Sequence, residues 1–314
     1  VLAIVAPGQG AQKSGFLAPW LADPTLADRA AELAEAAQVD LAELGTTADD
    51  DTIRDTAVAQ PLLVAAATLT APAILPADLS GIVIAGHSVG ELAAAAIAGV
   101  ITDTEAMALV SVRGRAMAAA AATTPTSMAA LIGGDPEVVL AAIERAGLNA
   151  ANHNGKGQIV AAGTVEQLDA FTPPARVRKI SLSVAGAFHT EHMRPAVDAL
   201  AEARADIAGQ DPTTALLTNA DGSVVASGAA YLDRIVAQVA SPVRWDRCMD
   251  TFATLGVTGL LELPPAGTLT GIAKRNLAGV EVFALNTPDE LAEARDFVAE
   301  HTSTDAHTST GAGN

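Results

Sequence analysis

Ser88 stands between two glycines in Gly86-His87-Ser88-Val89-Gly90, where a β-branched run, "GIVIAG" (81–86), gives way to the alanine-rich "VGELAAAAIAG" (89–99). A G-x-S-x-G pentapeptide between a strand and a helix describes a nucleophile elbow, a turn so tight that the flanking residues must be small. Such a turn lifts the hydroxyl above the sheet and aims it at the start of a helix, whose free N–H groups can hold an oxyanion. The bland alternative is a serine that merely caps the helix. A nucleophile of this kind takes up an acyl group, which then passes to water or to another acceptor.

The serine needs a base to take its proton. Of the six histidines, His301 and His307 lie near the C-terminus, and His87 adjoins the serine, where neighbours in a sharp turn point apart. His192 falls on a helix surface. His189, in "SVAGAFHTEHM" (183–193), and His153 remain. Position favours His189, because a new helix begins beside it; a satisfied structural histidine is the alternative for either.

Helix length places one more group. The helix after Ser88 runs to Gly99, roughly 13–15 Å at about 1.5 Å per residue. A second helix starts near Thr104 and, if antiparallel, returns Arg113 to the depth of the serine. An arginine there can hold a carboxylate in a bidentate pair. A solvated surface arginine is the competing reading, and it suits Arg115 better. The "PGQG" turn (7–10) puts backbone N–H groups near the carboxyl end of the first strand, where α/β sites form. It is not a phosphate loop, since neither G-x-x-x-x-G-K-[ST] nor G-x-G-x-x-G is present.

The elements that must position these groups alternate. "VLAIVA" (1–6) reads as a buried strand, 25–38 and 56–71 as helices, 81–86 as a strand, and 102–122 as a helix with capping residues at its start. Strand 127–134, helix 135–147, strands 148–154 and 157–163, helix 164–171 and strand 175–184 follow the order β-α-β-β-α-β of a small ferredoxin-like unit. Beyond it come helix 191–207, strand 214–220, helices 229–239 and 243–256, strand 257–263, strand 280–286 and helix 288–301. This pattern predicts a mostly parallel sheet with helices on both faces. The predicted boundaries are a discontinuous body, 1–124 and 189–301, an inserted subdomain, 125–188, and a disordered tail, 302–314.

Composition narrows the chemistry. Half of the 314 residues are hydrophobic but only 3% are aromatic, so the core is built from Ala, Val, Leu and Ile. Cys248 is the only cysteine, which excludes an intrachain disulfide and a thiolate zinc site. The N-terminal apolar run is too short for a signal peptide, no stretch reads as a membrane span, and a cytoplasmic protein is the default. A net charge of −18 argues against a nucleic-acid surface. It also means that any anionic ligand needs a local cluster drawn from only 18 Lys and Arg.

"PGQGAQ" (7–12), "GHSVGE" (86–91), "RG" (113–114), "GAFHTEHM" (186–193) and "SPVRW" (241–245) occur in that order. So ordered, they resemble malonyl-CoA:acyl carrier protein transacylases and the related acyltransferase domains of fatty acid and polyketide synthases, over roughly residues 3–287. The resemblance implies an α/β-hydrolase-like core with a ferredoxin-like insert. It makes Ser88 the acylated nucleophile, His189 the base, and the backbone N–H groups of Gln9 and Val89 the oxyanion hole. Arg113 would hold the malonyl carboxylate, the Gln238 carbonyl would orient His189, and Asn154 and His87 would line the site. A Ser–His dyad then accounts for the lack of an evident acidic third member.

Val89 and Phe188 resemble the malonyl-selective pattern, whereas methylmalonyl-selective relatives tend to carry Gln after the serine and Ser before the histidine. Phe188 would crowd an α-methyl branch, a discrimination worth about 1–3 kcal/mol. "ELPPAGTLTG" (262–271) departs from the G-P-G turn common in relatives. The implied partners are malonyl-CoA and holo acyl carrier protein, of fatty acid or polyketide type, with no nucleic acid, no membrane and a monomeric enzyme. CoA and phosphopantetheine enter as parts of substrates, without a resident cofactor or metal. Carrier proteins are typically acidic, so docking on this acidic chain is expected at Arg176, Arg178, Lys179, Lys274 and Arg275. The rival reading is a serine hydrolase, esterase or thioesterase on the same core. It would need an acid between serine and histidine in chain order, where Asp103, Asp135 and Asp169 read as caps or surface residues. A catalytically idle carrier-binding module is the third.

Overall fold

The structure, a computed structural model, describes residues 1–184 and 186–303. Most of the tail read as disordered (302–314) lies outside the described residues. The strands are β1 (Leu2–Ala6), β2 (Ile82–Gly86), β3 (Thr126–Ile132), β4 (Asn149–His153), β5 (Gln158–Thr164), β6 (Arg178–Ser181), β7 (Ala215–Leu216), β8 (Gly259–Glu262) and β9 (Glu281–Ala284). They form two sheets. The larger is wholly parallel in the order β7-β2-β1-β8-β9, with Ala6 opposite Gly86 at the carboxyl ends of β1 and β2. β1 and β2 are buried along their whole length, as continuous apolar runs covered on both faces must be.

The smaller sheet is antiparallel in the order β4-β5-β3-β6, the strand order of a ferredoxin-like unit, with helices Pro136–Arg145 and Val165–Ala170 between its strands. The chain is thus an α/β-hydrolase-like core joined to a ferredoxin-like subdomain. The two meet at backbone level, where His153 N–H donates to Val243 O and Val243 N–H to Ala151 O, both at 2.9 Å.

The helix Thr56–Ile74 runs through the centre of the core. Contrary to the expectation of no spanning stretch, it is long and apolar enough to cross a membrane. Burial gives its composition another cause: 78% of its most apolar window is covered by the fold. Gln60 is a polar side chain on this helix, and it points at the site.

Several elements depart from the sequence reading. The strand expected over 214–220 pairs only at Ala215–Leu216, because beyond Leu217 the backbone leaves the ladder: Thr218 N–H donates to Ser223 O and Asn219 N–H to the Glu91 carboxylate. The strand expected over 175–184 shrinks to β6, and Arg176 sits in the left-handed region at φ 66°. The helix expected over 191–207 splits into a turn of 3-10 helix, Glu191–Met193, and a helix, Arg194–Arg204, with Pro195 in its first turn.

Helix Thr268–Asn276 is missing from the sequence reading. Its N-terminal cap is remote: fully buried Glu262, at the end of β8, accepts the N–H groups of Gly267, Leu269 and Thr270 at 2.8–2.9 Å. The departure in 262–271 therefore folds as a capped turn beside the site.

Candidate active site

Ser88 adopts φ 56°, in the left-handed region that a sharp strand-to-helix turn demands. The glycines around it are required by contact distance. A Cβ on Gly86 would fall 1.9 Å from Gly90 C, and one on Gly90 would fall 2.3 Å from Ala6 O. Asn219 staples the turn from outside, accepting Ser88 N–H through Oδ1 at 2.8 Å and donating through Nδ2 to Gly86 O at 2.7 Å.

His189, also left-handed at φ 61°, brings Nε2 to 2.7 Å from Ser88 Oγ. Its Nδ1 lies 2.8 Å from Gln238 O. A carbonyl only accepts, so Nδ1 carries the hydrogen and the Nε2 lone pair faces the hydroxyl. Burial, with help from the Arg113 and His87 charges, pushes the imidazole down to about 3. It is therefore neutral at pH 7 and free to take a proton. Thr190 Oγ1 donates to Ala187 O, and Ala187 N–H to Thr126 Oγ1, which pins the His189 loop to β3.

His153, the rival base, sits elsewhere: its backbone pairs with Val243, and Arg244 with Asp246 form its charged surroundings. His192 lies in the following 3-10 turn. His87 Nε2 meets Asn154 Oδ1 at 2.9 Å and its ring packs edge-on against Trp245 at 5.5 Å, so it stands beside the site and not against the Ser88 hydroxyl. No acid among the described residues completes a triad. Asp103 pairs with Arg29 at 2.8 Å, Asp135 caps the helix after it, and Asp169 is exposed.

Arg113 is only 1% exposed. Its Nη2 donates to Gln238 Oε1 at 3.0 Å and reaches Ser88 Oγ at 3.5 Å, while Nη1 donates to Gln60 Oε1 at 2.7 Å. Its Nε has no partner among the described residues. Burial lowers the guanidinium to about 10, against the pull of Glu91, so it remains a cation at neutral pH. The backbone N–H groups of Gln9 and Val89 have no acceptor among the described residues, and both residues line the same cavity. The Gln9 side chain is tied down by Nε2, which donates to Arg54 O and Thr56 Oγ1 at 3.2 Å.

That cavity measures about 490 Å³ and reaches from Ser88 and His189 past Phe188, Met128 and Val160 to Gln158 at the subdomain edge. A volume of this size suits a small acyl group with part of an extended chain behind it. Arg275 Nη2 donates to Gln158 Oε1 at 2.9 Å, and Lys274 is exposed beside it on the helix that supplies Leu269 and Ile272 to the lining. Arg178 is exposed and pairs with Ile132, which in turn faces Gln158 across the sheet. Arg176 is exposed on the adjoining turn. Lys179 differs from expectation. Its ammonium donates to Leu168 O at 2.7 Å and Phe171 O at 2.9 Å, so its charge is turned back onto its own subdomain.

Three polar residues of the site escaped the sequence reading. Glu91, 1% exposed, accepts Asn219 N–H through Oε1 at 2.7 Å and Gln238 Nε2–H through Oε2. Asn219 and Gln60 are the others. Glu91 and Gln60 are lone polar residues in apolar runs, and that mismatch was the available signal; Asn219, between Thr218 and Ala220-Asp221, offered none.

Residues 4–297 match the acyl transferase domain family. The malonyl CoA-acyl carrier protein transacylase of Mycobacterium tuberculosis is 52% identical over 298 residues, covering 93% of this chain and 99% of that one. The crystal structure of MCAT from the same organism superposes with a TM-score of 0.89 at 51% identity, covering 94% of this chain and 99% of that chain. A complex described as a type II PKS acyl-carrier protein with its malonyl-transacylase gives a TM-score of 0.86 at 31% identity, covering 94% and 99%. Since the family match spans nearly the whole chain and relatives of this identity are covered almost end to end, the chain belongs to the acyl transferase family.

Proposed function

We propose that the protein transfers the malonyl group from malonyl-CoA to the phosphopantetheine thiol of an acyl carrier protein, through a malonyl ester of Ser88. The observation that carries this reading is the buried Arg113 guanidinium, 3.5 Å from the Ser88 hydroxyl. A buried cation beside a nucleophile suits an acyl group that ends in a carboxylate, since neither charge is stable there alone.

Neutral His189 takes the Ser88 proton as the hydroxyl attacks the thioester carbonyl. The oxyanion is held by the N–H groups of Gln9 and Val89. Collapse breaks the C–S bond, the imidazolium returns its proton to the CoA thiolate, and malonyl-Ser88 remains with its far end on Arg113. The carrier thiol then gives its proton to His189 and attacks the ester; Ser88 leaves and regains the proton. The Gln238 carbonyl keeps the imidazole in the correct tautomer throughout. CoA and phosphopantetheine are parts of the substrates, and no step calls for a metal or a resident cofactor. Phe188 in the cavity wall disfavours an α-branched acyl group.

In this reading residues 1–124 with 189–301 form the catalytic body, and 125–188 the lobe that closes the cavity. The acidic carrier docks at the mouth, on Arg178, Lys274 and Arg275 with Arg176 nearby. The enzyme acts as a cytoplasmic monomer that supplies extender units to fatty acid or polyketide assembly. Its relatives' names and the carrier complex among the similar structures support the choice of acceptor. So does the lack of an acid behind His189 among the described residues, which a hydrolase would use.

Incubation with malonyl-CoA, with and without holo carrier protein, tests the reading. Mass spectrometry should find malonyl on Ser88, and then on the carrier. Free malonate released faster than the carrier is loaded would establish the hydrolase instead.

A further inference from the structure

We propose that Glu91 is a positioning residue: its carboxylate fixes which way the Gln238 side-chain amide faces, and through that amide it holds Arg113 beside Ser88. The inference rests on the reading of Arg113 as the group that takes the substrate carboxylate.

The Gln238 amide is buried between the Arg113 guanidinium and the Glu91 carboxyl. Its Oε1 accepts from Arg113 Nη2 at 3.0 Å, and its Nε2 donates to Glu91 Oε2. Nε2 has two further acceptors at longer range, Asn219 Oδ1 at 3.2 Å and Ser88 O at 3.4 Å. Asn219 Oδ1 is already taken by Ser88 N–H. An amide can sit either way round, and its neighbours decide. Here the alternative would set NH₂ against a guanidinium that can only donate, and oxygen against a carboxylate that can only accept. Glu91 is the nearest of these acceptors on the Nε2 side and, once ionised, the charged one.

Glu91 is itself fixed. Its other oxygen accepts the Asn219 backbone N–H at 2.7 Å, from the point where the chain leaves the sheet. Burial drives the carboxyl up to about 8, against the pull of that N–H and of Arg113, so above this pH it is a carboxylate with both oxygens facing donors. The Glu91 side chain touches neither Ser88 Oγ nor His189 in the hydrogen-bond network, so it acts through its neighbours Asn219 and Gln238, and of these two only Gln238 contacts Arg113.

Replacing Glu91 by Gln changes one oxygen to a donor at nearly constant shape. The Asn219 N–H keeps the remaining oxygen, and the new NH₂ then faces the Gln238 NH₂. Gln238 can relieve this only by turning its amide or withdrawing it, and either movement strips Arg113 Nη2 of its acceptor.

The experiment compares E91Q, Q238M and the double variant in malonyl-CoA loading, acetyl-CoA loading and phosphonylation of Ser88 by a fluorophosphonate. Measured at about pH 9, where the Glu91 carboxyl is ionised, E91Q should raise the KM for malonyl-CoA about tenfold, the scale of one lost hydrogen bond to a charged group. The change in phosphonylation and in acetyl loading should be at least fivefold smaller. The double variant should match Q238M alone, because the two residues act as a unit. A KM that falls would show that Glu91 serves only as countercharge to Arg113, and would overturn the proposal. Parallel losses in all three assays would reduce Glu91 to a structural role and would likewise overturn it. Should E91Q not fold, Q238M carries the test, and an unchanged malonyl KM in it overturns the proposal. A wild-type enzyme that is phosphonylated but never malonylated would overturn the functional reading and this inference with it. Unchanged E91Q kinetics on a wild type that does malonylate would overturn the inference alone.

Discussion

Arg113 Nη2 lies 3.5 Å from Ser88 Oγ although the two side chains arise from different elements, 25 residues apart. The nucleophile and the proposed carboxylate anchor thus stand side by side, so an acyl group on Ser88 has a cation within reach of its far end. Replacing Arg113 by Ala removes the anchor without touching the Ser88–His189 contact. The KM for malonyl-CoA should rise roughly tenfold to a hundredfold, the worth of a charge-assisted pair at about 1.5–3 kcal/mol. Preference should shift towards acetyl-CoA, measured as the ratio of kcat/KM values for the two thioesters. An unaltered ratio would remove Arg113 from its role.

His189 should remain a competent base far into acid. Its folded-state pKa lies at about 3, below the usual 6.5, because burial and the Arg113 charge disfavour the imidazolium. The acylation rate should therefore stay nearly flat from about pH 8 down to about pH 5, where an ordinary histidine would have lost most of its activity. Stability follows the same sign. Between about pH 3 and 6.5 the unfolded chain binds a proton that the folded one does not, so this contribution is complete above pH 6.5 and is lost as pH falls towards 3. H189Q should show a shallower acid loss of denaturation midpoint than wild type. An acylation limb near pH 6.5 would contradict the buried, neutral imidazole.

How far the sequence could be read depended on how local each cause was. The elbow was legible because Gly86 and Gly90 answer contacts within one turn and one neighbouring strand. Arg113 was legible because helix pitch alone returns residue 113 to the depth of residue 88. Helix Thr268–Asn276 was not, because its cap is Glu262 on the preceding strand, outside any local capping pattern. Strand 214–220 was over-read for a similar reason: Asn219 has strand neighbours in sequence but gives its backbone to Glu91. Lys179 looked like a free surface charge until two carbonyls, from Leu168 and Phe171, were seen to hold it.

Asn219 should matter to both stability and turnover. Its side chain satisfies Ser88 N–H and Gly86 O, two backbone groups of the elbow. N219A leaves both without partners, at about 1–3 kcal/mol each. The urea midpoint should fall accordingly, and the kcat for malonyl loading should drop with it, since the left-handed Ser88 conformation loses its staple. A full rate in a destabilised N219A would separate the fold of the elbow from its chemistry.

Carrier docking offers a charge-reversal test in which the expected surface divides. Arg275 is bonded to Gln158 at the cavity edge, Lys274 is exposed next to it on the same helix, and Arg178 is exposed two strands from Gln158 at the same register. Lys179 lies on the same strand as Arg178, yet its ammonium is committed to two carbonyls of the subdomain. Rim charges act mainly on encounter and are screened over a Debye length of about 10 Å at 0.1 M salt. K274E with R275E should therefore raise the KM for holo carrier protein about three- to tenfold and flatten its salt dependence. The KM for malonyl-CoA in the loading half-reaction reads whether the cavity itself is intact. K179E should change carrier docking much less, and its cost should appear as a lower melting temperature, because a carboxylate cannot donate to the Leu168 and Phe171 carbonyls. If K179E instead weakened carrier binding as strongly as the double reversal, with stability intact, the docking surface would have to move from the cavity mouth onto the face of β6.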